Sequence, residues 1–222
     1  MRITYAYRFG LPIVVLAFLV YSLPPYLVGD TRVPATFGLH HPLLLGHVAL
    51  GTVALVAGVA QVWPRPRLRH PARHRLVGRL YVVATVPSAL FAAVIGALTP
   101  FGPLLAVSNT VLGVLWLGFT VGGYLAARAG RYATHRRRML LSVTLALSVI
   151  TNRLWAPVLF LICDPLRTSV FGGDDERYLW FTAGVAGWLG WVLPLAAVGW
   201  WLHRRPAVAA TSIPTVSEVP RV

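Results

Sequence analysis

The chain has no lysine: all 20 of its basic residues are arginine. Only six residues are acidic, and charged side chains make up 12% of the chain. A soluble globular domain carries about 25%, so that class is excluded. One cysteine, Cys163, cannot form an internal disulfide, and without a CxxC pattern it does not report the redox compartment. No glycine-rich phosphate loop runs into Lys-[ST], no HExxH is present, and no acid accompanies Ser108 or Ser142 in a nucleophile triad. No basic run is interleaved with aromatics on a polar face, so the net charge of +14 does not indicate nucleic acid.

What is present is apolar mass. Hydrophobic residues are 57% of the 222 and the mean hydropathy is +0.69, which excludes disorder and points to one integral membrane domain over residues 1–205. Six stretches approach the roughly 20 residues that a bilayer crossing needs. They are Phe9–Val28, Leu43–Trp63, Val77–Leu98, Leu104–Ala127, Met139–Ile162 and Leu179–Leu202. The first follows a basic start as a signal peptide would, but it is too long and lacks an A-x-A cleavage site, so it reads as a retained helix. Residues 206–222 read as a disordered tail.

Charge alternates between the connections. Sixteen of the 20 arginines flank the first stretch, lie around Arg65–Arg79 and Arg128–Arg138, or follow the sixth; five of the six acids (Asp30, Asp164, Asp174, Asp175, Glu176) lie in the other connections. The positive-inside rule then puts both termini in the cytoplasm of, as expected here, a bacterial inner membrane.

At about 100° per residue, polar and small side chains form stripes on four spans. They are His47, Gly51, Ala54, Gly58 and Gln61; His74, Gly78, Tyr81, Thr85 and Ser88; Asn109, Gly113, Trp116, Thr120 and Gly123; and His135, Ser142, Ala146 and Arg153. Lipid-facing surfaces are apolar, so the stripes should face one another. The expected fold is all-α, with six transmembrane helices. Spans two to five form a central four-helix bundle, and spans one and six are peripheral. Gly184, Gly187 and Gly190 on span six suit close packing inside the molecule better than packing on a second subunit. His74-Arg75 and His135-Arg136 each lead into a span, an echo too short to establish a repeat.

Four segments together resemble a known group: His47 to Gln61, Arg67 to His70, the run His74-Arg75-Leu76-Val77-Gly78-Arg79-Leu80-Tyr81, and His135-Arg136-Arg137-Arg138-Met139 with Thr151-Asn152-Arg153-Leu154. The chain is similar there, over about residues 40–160, to bacterial membrane proteins grouped as domain of unknown function 2306. A Trp usually stands at the position of Arg138. The resemblance implies the bundle and points to these residues; it implies no reaction.

Three functional readings follow from the residues. In the first, haem b is held between axial imidazoles on different helices. His74 and His135 lie at the same Arg-rich ends of two spans, and His47 would serve an outer site. The layout loosely resembles two-haem cytochromes of the b561 type, but no span here carries two histidines a dozen residues apart. The plain alternative for His74 and His135 is helix capping at head-group level. In the second, the protein binds or carries a lipid, quinone or isoprenoid. Residues Gly51 to Gly58 and Tyr81 to Ser88 would line its pocket, with the polar head on Arg153 or on the inner arginines Arg75, Arg79, Arg136 and Arg137. Arg153 stands inside a span and needs an anion, a carbonyl or a water-filled cavity, unless it snorkels; Asn109, Tyr81 and Gln61 complete the candidate anion or ligand site. In the third, the protein is a non-catalytic accessory subunit docking through Trp188, Trp191 and the glycines of span six. The redox reading is preferred to the lipid reading. Metal binding by His40, His41 and His47 ranks below both, because His40 and His41 point in different directions.

Overall fold

The computed structural model describes residues 2–31, 33–62 and 70–204, with side chains from residue 9 onward. Eight helices are present among these residues: α1 (Arg2–Ser22), α2 (Pro24–Leu27), α3 (His40–Val62), α4 (Pro71–Ala97), α5 (Pro103–Arg128), α6 (Tyr132–Ile162), α7 (Asp164–Ser169) and α8 (Asp175–Arg204). Five of them, α3, α4, α5, α6 and α8, are long and apolar enough to cross a membrane. The described apolar part of α1, Phe9–Ser22, is shorter. Pro24-Pro25 explains why: neither has an N–H to continue the helical ladder, so the expected first span breaks into α1 and the single turn α2.

The long helices extend past the apolar runs by up to two turns. Proline at the first helical position, where its missing N–H costs nothing, starts both α4 and α5. At the start of α5, Gly102 has φ +85° and lies against the ring of Trp180, so close that a Cβ would be 2.6 Å from it. At the start of α8, Asp174 Oδ1 accepts the Arg177 N–H at 3.0 Å, and Asp175 and Glu176 in the first turn complement the helix dipole.

α3, α4, α5 and α6 form the expected ring, each packed on the next, with a thinner seam where α6 returns to α3. Of the four stripes, nearly every member is buried or half-buried; Arg153, at the end of the α6 stripe, is exposed. Close approach depends on small residues. A Cβ on Gly58 would meet the Tyr81 ring at 3.1 Å, and one on Gly113 would meet Ala93 at 3.2 Å. α1 does lie outside the ring, with Val15 against Leu55 and Val59 of α3.

Span six is not peripheral. α8 packs on α6 as extensively as α3 does on α4, and on α5 as well. Its glycines are the reason, and they act within the molecule as the sequence suggested. Cβ atoms on Gly184, Gly187 and Gly190 would meet Leu104 at 2.7 Å, Leu105 at 2.5 Å and Asn152 at 2.8 Å. Trp191 is 6% exposed, donates its indole N–H to Ser108 Oγ at 3.0 Å, and stacks with Trp188 at a tilt. This corrects the expectation that the Trp188/Trp191 face is a free docking surface: it is spent inside the core. The tail at 206–222, Arg32, Trp63 and the arginines at 65, 67 and 69 lie outside the described residues.

Candidate functional site

The most buried polar group lies in mid-bundle. Tyr81 of α4, Thr120 of α5 and Ser142 of α6 have no exposure, and Trp116 is 7% exposed. The Thr120 hydroxyl donates to the Trp116 carbonyl at 2.7 Å. Each hydroxyl owns one proton, which sets the direction of the remaining bonds. Ser142 therefore donates to Thr120 at 2.6 Å, Tyr81 donates to Ser142 at 2.6 Å, and the Trp116 indole donates to Tyr81 at 3.3 Å. The bonds form a closed circuit that begins and ends at Trp116. Each donor of the circuit is used within it, so Tyr81 ties α4, α5 and α6 together. Thr85 Oγ1 approaches the same phenol but makes no hydrogen bond of acceptable geometry.

The other sequence candidates lie at different depths. Toward the acidic-loop end, the His47 ring is fixed by Ser88. With the proton on Nδ1 the set is complete: Nδ1–H donates to the Ser88 carbonyl at 3.0 Å, and the Ser88 hydroxyl donates to the His47 carbonyl at 3.2 Å. Asn109 packs in the α4–α5 seam, where its Cβ lies 2.6 Å from the position of a Cβ on Gly96. Toward the arginine-rich end, Gln61 Nε2 donates to the His74 carbonyl at 2.7 Å, and its Oε1 is buried without a partner among the described residues. The four residues expected to form one ligand site, Arg153, Asn109, Tyr81 and Gln61, are thus not brought together.

His135 Nδ1 donates to the Gly123 carbonyl at 2.9 Å, and Arg138 donates to the Gly122 carbonyl at 3.0 Å. These bonds strap the first two turns of α6 to the last turns of α5; they join two helices and cap neither. They also give Arg138 a structural task. His74 and His135 each stand seven residues before a member of the Tyr81–Ser142 pair, so they share a depth about 10 Å from it. His40 is buried with Nδ1 on the Thr36 hydroxyl at 3.1 Å, whereas His41 is exposed. No group of three metal-ligating side chains occurs among the described residues.

The expected ligand pocket is closed. The Gly51–Gly58 and Tyr81–Ser88 stripes pack directly on each other, with a Gly51 Cβ position 3.3 Å from Ser88 Oγ. The open space lies on the other side of α3. A cleft of about 410 Å³ runs between α3 (Thr52, Val53, Val56, Ala57, Ala60) and α4 (Val77, Leu80). A smaller one of about 140 Å³ lies between α1 (Pro12, Val15, Leu16, Leu19) and α3 (Val56, Val59), so Val56 is the ridge between them. Among the described residues the one polar side chain in the larger cleft, Thr52, donates its hydroxyl to the Val48 carbonyl at 2.7 Å, which leaves that wall apolar. Neither cleft is lined by a histidine. Arg73 continues the Val77–Leu80 face of α4 one turn toward the arginine-rich end. Arg73, Arg75 and Arg79 are all exposed, as are Arg136 and Arg137 on α6. Sequence reasoning missed Arg73 because its significance depends on which side of α4 is open, although its spacing to Val77 and Leu80 was visible.

A family model described as predicted membrane protein, DUF2306, matches residues 44–202. The chain belongs to this family. The match runs through α8, beyond the stretch on which the resemblance was first read, in keeping with the place of α8 in the core. No curated protein and no solved structure matches the chain. The family description states a membrane location and no activity, so what the protein binds must be argued from its own surface.

Proposed function

We propose that the protein binds an amphiphile inside the membrane: a lipid, quinone or isoprenoid whose chain lies in the α3–α4 cleft and whose anionic or oxygen-bearing head meets Arg73. The observation that carries this reading is the apolar cleft of about 410 Å³ whose α4 wall, Val77 and Leu80, continues to Arg73 one turn on. That volume falls within the range of small-molecule sites, about 300–1,000 Å³. Polybasic segments beside membrane helices attract anionic head groups at about 1 kcal/mol per arginine. Under the positive-inside rule, the cleft mouth faces the cytoplasmic leaflet of a bacterial inner membrane and both termini are cytoplasmic. The test is purification in mild detergent followed by solvent extraction and mass spectrometry. Wild type should retain a defined amphiphile. Ala60→Trp, at an exposed position of the cleft wall, and Arg73→Gln should each lose it, whereas retention by both variants would remove the cleft from consideration.

One observation favours the redox reading as a second. The Gly123 carbonyl accepts the Nδ1–H of His135, so Nε2 is the nitrogen that an iron would take, at the depth of His74 on another helix. A reduced-minus-oxidised absorption spectrum decides it: sharp α and β bands that vanish in His135→Ala would establish haem b, and a colourless protein from haem-replete cells would end the reading.

A further inference from the structure

We infer that Arg153 anchors the anionic head of a second membrane lipid, on the uncovered half of α6 at the end opposite the arginine-rich loops. This site is independent of the α3–α4 cleft. Arg153 lies inside an apolar span, is exposed, and makes no hydrogen bond or ion pair among the described residues. A guanidinium in that position is costly unless an anion or water meets it. Among the described residues no acid pairs with it. Asp174 and Asp175 are already paired with Arg177 and Arg167. Asp164 lies 11 residues farther on, about 16 Å along the axis.

Nor can α6 turn to bury the side chain. The two preceding residues fix its rotation: the Thr151 hydroxyl donates to the Gly190 carbonyl, and the Asn152 Cα lies 2.9 Å from a Cβ position on Gly190. Arg153 is therefore held about 100° away from α8. It looks onto the barest spanning surface of the molecule. Only 11% of the apolar window of α6 is buried, against 28–33% for the other four long helices. On the same face as Arg153, Val149, Ala156, Pro157 and Phe160 are all exposed. That surface is apolar enough for an acyl chain and carries one cation.

Depth selects a lipid head group over an acid on a partner helix. Arg136 and Arg137 place the start of α6 at one head-group level. Twenty residues from Met139, about the 30 Å hydrocarbon thickness, end at Val158. Arg153 is about 8 Å short of that boundary, within the reach of a long side chain that snorkels. A phosphate at the acyl boundary would then receive a charge-assisted, two-pronged bond.

The probe is phosphatidylglycerol against phosphatidylcholine, titrated into the full-length protein in detergent. Native mass spectrometry counts bound lipid, and thermal denaturation reads its stabilising effect. Wild type should hold one more phosphatidylglycerol than Arg153→Gln, with about tenfold tighter binding at that site. Arg153→Lys should stay close to wild type, and inorganic phosphate alone should have no effect. Equal phosphatidylglycerol binding by wild type and Arg153→Gln would overturn the inference. So would equal retention of the two lipids by wild type, a comparison that needs no variant. A protein subunit that stays on wild type and leaves Arg153→Gln would also overturn it, in favour of an acidic partner.

Discussion

At the scale of single residues, the informative contrast is between two hydroxyls one turn apart on α4. Tyr81 closes a hydrogen-bond circuit through Ser142, Thr120 and Trp116, whereas Thr85 is equally buried and makes no hydrogen bond. Tyr81→Phe breaks two links and leaves the Ser142 oxygen without its donor. We expect a loss of about 1–2 kcal/mol in stability, the range found for hydrogen bonds between membrane helices. Amphiphile retention should not change, because the phenol does not reach the cleft. Thr85→Val removes an unpaired hydroxyl at nearly constant shape and should be neutral or stabilising. Both variants are read by thermal or denaturant unfolding in the same detergent; a large loss in Thr85→Val would show that a bound water or ligand satisfies that hydroxyl. The sequence disclosed both residues as inward-facing, since their spacing is helical. It could not disclose that one was satisfied and the other was not, because that depends on which hydroxyl lies opposite on α5 and α6. The same limit explains Arg153. Periodicity placed it on the His135–Ser142 face, but that face is covered only while a neighbouring helix runs beside it.

At the scale of elements, α8 is where pattern reading fell short. Its glycines were visible and their role inside the molecule was readable. Its inward-facing polar residues, Tyr178 and Thr182, lie in its first two turns, and the rest of the helix read as peripheral. The contacts that recruit it are between backbones, at Gly190 against Asn152 and through the Thr151 hydroxyl on the Gly190 carbonyl. A methyl at Gly190 has no room and nothing flexible to displace, so Gly190→Ala should lower stability by about 1–3 kcal/mol through overpacking. Gly199→Ala, with nothing within 4 Å of the new atom, serves as the control and should be close to neutral. At its other end, α8 is held outside the apolar run by Arg167, whose Nε lies 2.6 Å from Asp175 Oδ1 and holds that carboxyl below its ordinary value of 3.8. A depressed carboxylate contributes its stability above the unfolded-state value and loses it as pH falls through the lowered one. The thermal midpoint should therefore be insensitive to this pair from pH 5 to 8 and decline only below about pH 4, modestly, because both groups are exposed. Asp175→Asn should abolish that acid-side decline. An unchanged acid limb would show that the pair does not contribute.

At the scale of the whole molecule, the segregation of arginine from acid made the alternation of loops legible, while the open face of the bundle was not. Small and polar residues mark where helices touch. A lipid-facing cleft is lined by Val, Ala and Leu like any other membrane-facing surface, so Val56, Val77 and Leu80 gave no signal of their own. Orientation is open to a direct check, because the lone cysteine is half-buried just past α6, beside the acidic loop. In intact cells or spheroplasts, a membrane-impermeant maleimide should label Cys163, and should miss Ala129→Cys in a Cys163→Ser background until the membrane is opened. The reverse pattern would invert the topology. The central claim is that the α3–α4 cleft is a binding site and not merely bare surface. Native mass spectrometry of the protein released from mild detergent tests it most directly. The account predicts one discrete bound amphiphile on wild type that is absent from Ala60→Trp at equal folded yield. An identical spectrum from both proteins, whether bare or uniformly lipid-decorated, would contradict it.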